Sequence, residues 1–198
     1  MESESIRKTL FFIPVVLSQL PLLLVGVDFK SLTYVSTLTF FTLMIGISEE
    51  LYFRGIILKL LKDNFSVKQT VVISALIFGI GHITSALAGK NGVDVLLQVI
   101  NAIVFGILTA EIVIITKSLV PTIIWHFAFN FINRITLVTG ANKILVVGIQ
   151  VIVMIVYACV LWDKISLKKK DLAMGVQTML QSFGISFISF YALFAIYC

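Results

Sequence analysis

Apolar residues gather along this chain into long runs broken by short polar turns. The runs fall near 9–28, 34–58, 70–89, 93–116, 118–138, 144–162 and 172–197, and each approaches the roughly 20 residues that an α-helix needs to cross a bilayer. Lipid offers no partner for backbone amides, so segments of this kind must satisfy their hydrogen bonds internally, as helices do. The pattern predicts an all-α fold, a polytopic transmembrane helix bundle of about seven spans, in one integral membrane domain over 1–198 with its motif-bearing core at 34–138. The first run follows Arg7 and Lys8 but carries Pro14 and Pro21 and ends Val-Gly-Val-Asp without a small-residue cleavage site, so it reads as a retained span rather than a removed signal. Asp63-Asn64 and Gly89-Lys90-Asn91-Gly92 mark turns, and Ser66 is placed to cap the helix of the third run.

Composition agrees with this reading. Hydrophobic residues make up 59% of the 198 and charged residues 13%, against an apolar share of about 45–50% in soluble domains. The net charge of +5 is better explained by topology than by an acidic partner, and no nucleic-acid partner is expected. With the amino terminus cytoplasmic, the inner segments hold Arg7, Lys8, Arg54, Lys59, Lys62, Lys68, Lys117, Lys164 and Lys168 to Lys170, whereas the outer ones hold only Lys30, Lys90, Arg134 and Lys143. Eleven basic residues against four favour that orientation, because cytoplasmic loops are enriched in Lys and Arg. Membrane lipids are the first expected partners. Cys159 and Cys198 form no motif and suggest no chemistry.

Candidate chemistry comes from the charges that interrupt the apolar runs. Glu49, Glu50 and Arg54 fall within the stretch from Tyr34 to Leu61, where each charge at a helix centre costs roughly 2.5–3.5 kcal/mol and each Leu or Ile returns only about 0.3–0.6. Glu50 and Arg54 stand at i and i+4 and are spaced to pair. Glu49 points about 100° away around the helix, free for proton transfer. Snorkelling of a helix end into water is the competing reading. The third run carries Phe78-Gly79-Ile80-Gly81-His82, in which the glycines admit a close neighbouring helix. The fifth carries His126 and Asn130 at i and i+4, an imidazole and an amide on one face; this pair can equally be an interhelical clamp, and His82 a hydrogen-bonded packing residue. Asp94 and Glu111, near the two ends of the fourth run, read as interface residues.

Glu49, His82 and His126 lie at similar depth in their runs and can converge on a polar cavity, expected to open to the cytoplasmic side. Two chemistries fit the set. In one, Glu49 with His82 deprotonates a water that attacks a peptide carbonyl while His126 and Asn130 stabilise the oxyanion. In the other, Glu49, His82 and His126 hold zinc, which activates the water; no H-E-x-x-H supports it.

Three motifs in order, Glu49-Glu50-x-x-x-Arg54, Phe78-x-x-x-His82 and His126-x-x-x-Asn130, give the chain a resemblance to the CPBP (CAAX protease and bacteriocin-processing) intramembrane proteases, including their Abi-type members. The resemblance covers residues 48–130 by motif. It implies an intramembrane endopeptidase in which Glu49, His82, His126 and Asn130 are catalytic, Glu50, Arg54 and Phe78 shape the site, and no metal is required, with zinc as the alternative cofactor. It implies a peptide or protein substrate, whether a bacteriocin or pheromone precursor or a prenylated protein. A non-catalytic immunity or peptide-binding protein using the same cavity is the second reading.

Overall fold

The computed structural model describes residues 13–137 and 140–165. Its elements are helical: α1 (Ile13–Val25), α2 (Leu32–Glu50), a π-helical stretch (Leu51–Ile57), α3 (Leu58–Asn64), α4 (Val67–Gly81), a 3-10 turn (His82–Ala86), α5 (Gly92–Thr116), α6 (Val120–Ile135) and α7 (Gly140–Trp162). The only extended pairing among the described residues is an isolated bridge between Val27 and Thr136. The all-α expectation holds.

Among the described residues four segments are long and apolar enough to cross a membrane: Leu32–Asn64, Val67–Ala86, Gly92–Thr116 and Asn142–Trp162. The full count of seven is not reached among the described residues, for a local reason in each case. The first run is described only from residue 13, where its helix covers 13 residues, and the fifth forms a helix of 16, both short of the roughly 20 a span requires. The run at 172–197 lies outside the described residues. The longest segment, at 33 residues, measures about 50 Å at 1.5 Å per residue. It exceeds the hydrocarbon core of about 30 Å, so its α3 end, with Lys59, Lys62 and Asp63, extends past the apolar layer.

Local sequence explains the boundaries. Ser66 caps α4 in a full capping box with Gln69, satisfying two amide groups that the first turn would otherwise leave open. Asn91 caps α5 by accepting from the Asp94 amide, and Pro121 sits in the first turn of α6, where its missing N–H costs nothing. Gly89 between α4 and α5 has φ +81°, a left-handed turn that residues with a Cβ resist.

Close helix packing sets the centre of the bundle. At Gly46 of α2 an added Cβ would stand 3.1 Å from the Phe127 nitrogen and 3.2 Å from the Ile123 oxygen of α6. At Gly106 of α5 it would stand 3.0 Å from the Ala75 Cα of α4, and at Gly79 it would collide with the Ile103 side chain. Without a hydrophobic drive between helices in lipid, such close approach gives the dispersion contacts that hold them. Phe53, Phe78, Phe105, Leu108, Trp125 and Met154 form the buried core. Leu24, Leu32, Phe40, Leu145 and Ile152 face outward, as lipid contact requires.

Candidate active site

Glu49 and Glu50 end α2, and the next seven residues are wound as a π-helix. Such stretches are rare and recur at functional sites. Both carboxylates are buried, with relative exposures of 1% and 0%. The contact at Gly46 brings the α2 end against α6, and the two glutamates meet one imidazole there. His126 Nδ1 lies 2.9 Å from Glu50 Oε1, and His126 Nε2 lies 3.4 Å from Glu49 Oε2. The two glutamates therefore address opposite edges of one ring rather than separate cavities, and the structure brings Glu49 to His126 more closely than the spacing suggested. Glu49 is also within electrostatic reach of His82.

Arg54 completes the anionic side of the site. Its Nη1 is 3.1 Å from Glu50 Oε1, and its Nη2 donates to Thr109 Oγ1 at 2.5 Å, which in turn donates to the Phe105 carbonyl at 2.8 Å. The guanidinium also lies over the Phe78 ring, 4.4 Å from its centroid, with Phe53 and Phe105 farther off at 5.9 and 6.0 Å. Ring faces stabilise a desolvated cation, so the expected Glu50–Arg54 pair exists and is held on three sides. Glu50 accepts from His126 on one flank and pairs with Arg54 on the other, which fixes the imidazole with Nδ1–H donating and Nε2 facing Glu49.

Phe78 links these groups to His82. Its ring packs edge-on against His82 at 4.8 Å and against His126 at 6.0 Å, while its carbonyl oxygen lies 2.9 Å from His82 Nδ1. That bond orients the ring so that Nε2 is the nitrogen presented to solvent or substrate. His82 follows the last residue of α4, where the helix tightens into its 3-10 turn, so it sits at a helix end rather than inside one.

A cavity of about 440 Å³ reaches this centre. His82, His126, Asn130 and Phe78 all contribute to its wall, as do Asn101, Phe105, Phe129 and Asn133. Sequence reasoning missed Asn133, Phe105 and Thr109 as site residues; their amide, ring and hydroxyl acquire a role only through helix packing. The cavity continues to Lys90, Asp94, Arg134 and Lys143, at the helix ends that the charge count assigns to the outer face. The expected cytoplasmic opening and the expected orientation thus point in opposite directions. Asp94 pairs with Lys143 at 2.5 Å, in keeping with an interface position. Glu111 departs from that expectation: it is fully buried, and neither of its carboxyl oxygens has a hydrogen-bond partner among the described residues.

Among the described residues no three His, Cys, Asp or Glu side chains are grouped to hold a metal ion. Nδ1 of each histidine is bonded, in one case to Glu50 and in the other to the Phe78 carbonyl, which leaves Nε2 as the nitrogen each can present to a ligand.

Fold and site together define a helical membrane protein whose buried carboxylate–imidazole centre opens through a polar cavity. Residues 31–132, about half of the chain, match the family model described as Type II CAAX prenyl endopeptidase Rce1-like, and the chain belongs to that family. The match spans the stretch from Glu49 to Asn130 and bears out, at the level of the family and not of its Abi-type members, the resemblance drawn from the three motifs. Membership makes the chain part of a family of membrane proteases. No curated protein and no solved structure matches it.

Proposed function

We propose that this protein is an intramembrane endopeptidase that hydrolyses a peptide bond of a membrane-associated peptide or protein with water activated by Glu49 and His82. The observation that carries the reading is the imidazole of His126 clamped between Glu50 at 2.9 Å and Glu49 at 3.4 Å beside a cavity that His82 and Asn130 also line. Glu49 Oε2 is buried and makes no hydrogen bond within the described residues, and a buried acceptor of this kind calls for a proton-bearing ligand such as water.

In this mechanism the water is held by His82 Nε2 as acceptor and gives a proton to Glu49, and the hydroxide adds to the scissile carbonyl carbon. His126, whose Nδ1–H is held by Glu50 and whose Nε2 carries a second proton in this step, and the Asn130 amide donate to the oxyanion that forms. Glu49 then returns the proton to the departing amide nitrogen as the C–N bond breaks. Glu50, Arg54 and Phe78 position these groups and touch no reacting atom. No metal is needed for any of these steps.

The substrate is a prenylated protein or a bacteriocin or pheromone precursor. We further propose a cytoplasmic amino terminus, on the excess of inner Lys and Arg. The test is cleavage of farnesylated and unmodified membrane peptides by the purified protein in vesicles. Glu49→Gln should lower turnover at least about a hundredfold, the scale of a lost general base, with yield and melting temperature near wild type. Full activity in that variant would remove the mechanism. Peptide binding by the wild type without cleavage would support a binding or immunity role instead. Treatment with a chelator should leave activity within about twofold; loss restored by added zinc would favour the metal-dependent reading.

A further inference from the structure

Carboxamides line the cavity from two neighbouring helices, Gln98 and Asn101 on α5 and Asn130 and Asn133 on α6. The hydrolytic steps use Asn130 alone. Each pair stands at i and i+3, which keeps both amides on one face of its helix. Three residues join α5 to α6, which run in opposite directions, and the Phe105 ring of α5 packs against His126 at 4.9 Å and Phe129 at 5.5 Å. Asn101 lies one turn before Phe105 and Asn133 one turn after Phe129, so these two amides stand at one level on opposite walls.

The hydrogen-bonding capacity of the amides is divided between them. Asn133 Nδ2 donates to the Phe129 carbonyl at 2.8 Å, which leaves Oδ1 to accept. Gln98 Oε1 accepts from Lys90 at 3.1 Å, which leaves Nε2 to donate. The Asn101 side chain makes no hydrogen bond among the described residues and keeps its acceptor and both its donors. Between the amides the wall is aromatic, with Phe105 and Phe129. Paired donors and acceptors in an apolar cleft fit a ligand that carries both and has lost its own partners.

An unwound peptide backbone is such a ligand. A segment embedded in lipid satisfies its N–H and C=O groups by folding as a helix, and there its carbonyls are occupied. Opening a turn to present the scissile carbonyl frees backbone groups that lipid cannot satisfy. The amides can replace the lost partners. Asn133 follows His126 by seven residues on α6, about 10 Å at 1.5 Å per residue. An extended chain rises about 3.3 Å per residue, so the amides meet the backbone about three residues from the bond cleaved.

Resting on the proteolytic reading above, we propose that Asn101 and Asn133, assisted by Gln98, are positioning residues that clamp an unwound, extended stretch of the substrate backbone beside the reacting centre. Asn101 bonds the N–H and C=O of one residue, which point to the same side of an extended strand. Asn133 Oδ1 accepts the N–H of the next residue from the opposite wall. The clamp recognises main chain, whatever the side chains it carries.

The experiment uses the full-length protein in phosphatidylcholine vesicles and a peptide that the wild type processes. That peptide is compared with a set in which one amide at a time, on either side of the bond cleaved, is replaced by an ester. The ester keeps the shape of the chain, removes the N–H and weakens the carbonyl as an acceptor. Fragment masses report cleavage at the original bond. In the wild type, kcat/KM should fall about tenfold for esters about three residues from that bond, with the change mainly in KM, the scale of one buried hydrogen bond. Asn133→Leu should weaken cleavage of the all-amide peptide and cut the ester penalty at its own position to about twofold or less, and Asn101→Leu should do the same at an adjacent position. A partly misfolded protein would slow both peptides alike and leave their ratio unchanged. Should one variant fail to fold, the other, on a different helix, carries the comparison. The absence of any ester penalty away from the scissile bond in the wild type overturns the proposal, and so do penalties that are the same in wild type and variants. If the wild type cleaves none of the peptides, the proteolytic reading fails alone and binding decides the clamp. Weaker capture of the ester peptide than of the all-amide peptide by the wild type, with equal capture of the two by the variants, supports it; any other pattern overturns it.

Discussion

Arg54 keeps a full charge in the interior of an apolar bundle, and each of its partners comes from a different place. Glu50 is one turn back, Thr109 is on α5, and the Phe78 ring is on α4. Removing one member of a buried pair strands the other, at a cost of roughly 3–5 kcal/mol. Arg54→Ala should therefore lower both yield and melting temperature in detergent as well as activity, whereas Thr109→Val, which loses the bond from Arg54 and the one to the Phe105 carbonyl but strands no unpaired charge, should cost only about 1–3 kcal/mol. Arg54→Lys should restore yield in part and activity poorly, because an ammonium cannot bond Glu50 and Thr109 at once in the planar geometry a guanidinium provides. Equal yield of Arg54→Ala and wild type would mean that the pair is not structural. The Glu50–Arg54 contact was legible in the sequence because it is local, fixed by helical spacing alone. The Thr109 acceptor and the aromatic faces were not, since a threonine and two phenylalanines on other spans carry no signal of which charge they will meet. Glu111 shows the same limit from the opposite side: its position near the end of a run suggested an interface, and only the packing around α5 buries it.

Helices deliver these residues through small side chains and one irregular segment. Gly46 lets α2 approach the α6 backbone at Ile123 and Phe127, and the three residues beyond it bring Glu49 level with His126. Gly46→Ala should push the helices apart by several tenths of an ångström and lengthen the Glu49–His126 and Glu50–His126 contacts, with activity falling about tenfold or more, since small displacements of catalytic groups are costly. Gly148→Ala on α7 is the control: nothing lies within 4 Å of its added Cβ, and activity should stay within about twofold while helix propensity improves slightly. A similar loss in both variants would separate Gly46 from the site. The glycine next to Phe78 was readable in advance as a close-approach position, and Gly79 indeed faces Ile103. The π-helical winding of Leu51–Ile57 had no such signature. Its residues are ordinary helix formers around Gly55, and the wider turn arises where two glutamates and an arginine must all reach interior partners.

On the scale of the whole molecule, the cavity and the charge distribution set up a decisive question of sidedness. Lys59, Lys62 and Lys68 lie around the turn between α3 and α4, and Lys117 precedes α6, all at one end of the bundle. Lys30, Lys90, Arg134 and Lys143 lie at the other, where the cavity opens. With the basic run Lys168 to Lys170 close behind α7 in sequence, the bias favours the first end as cytoplasmic, and the cavity then receives its peptide from the opposite face. Single cysteines test this in a background with Cys159 and Cys198 replaced by serine. Ala88→Cys, near the mouth, should react with a membrane-impermeant maleimide on intact cells, and Asp63→Cys only after permeabilisation. That pattern would make the substrate a peptide already exported or inserted when it is met. The reverse pattern would turn the mouth toward the cytoplasm, where precursors and lipid-modified tails are made, and would show that the basic residues around Lys62 do not set the orientation. Either result narrows the substrate search to one leaflet before any peptide is synthesised.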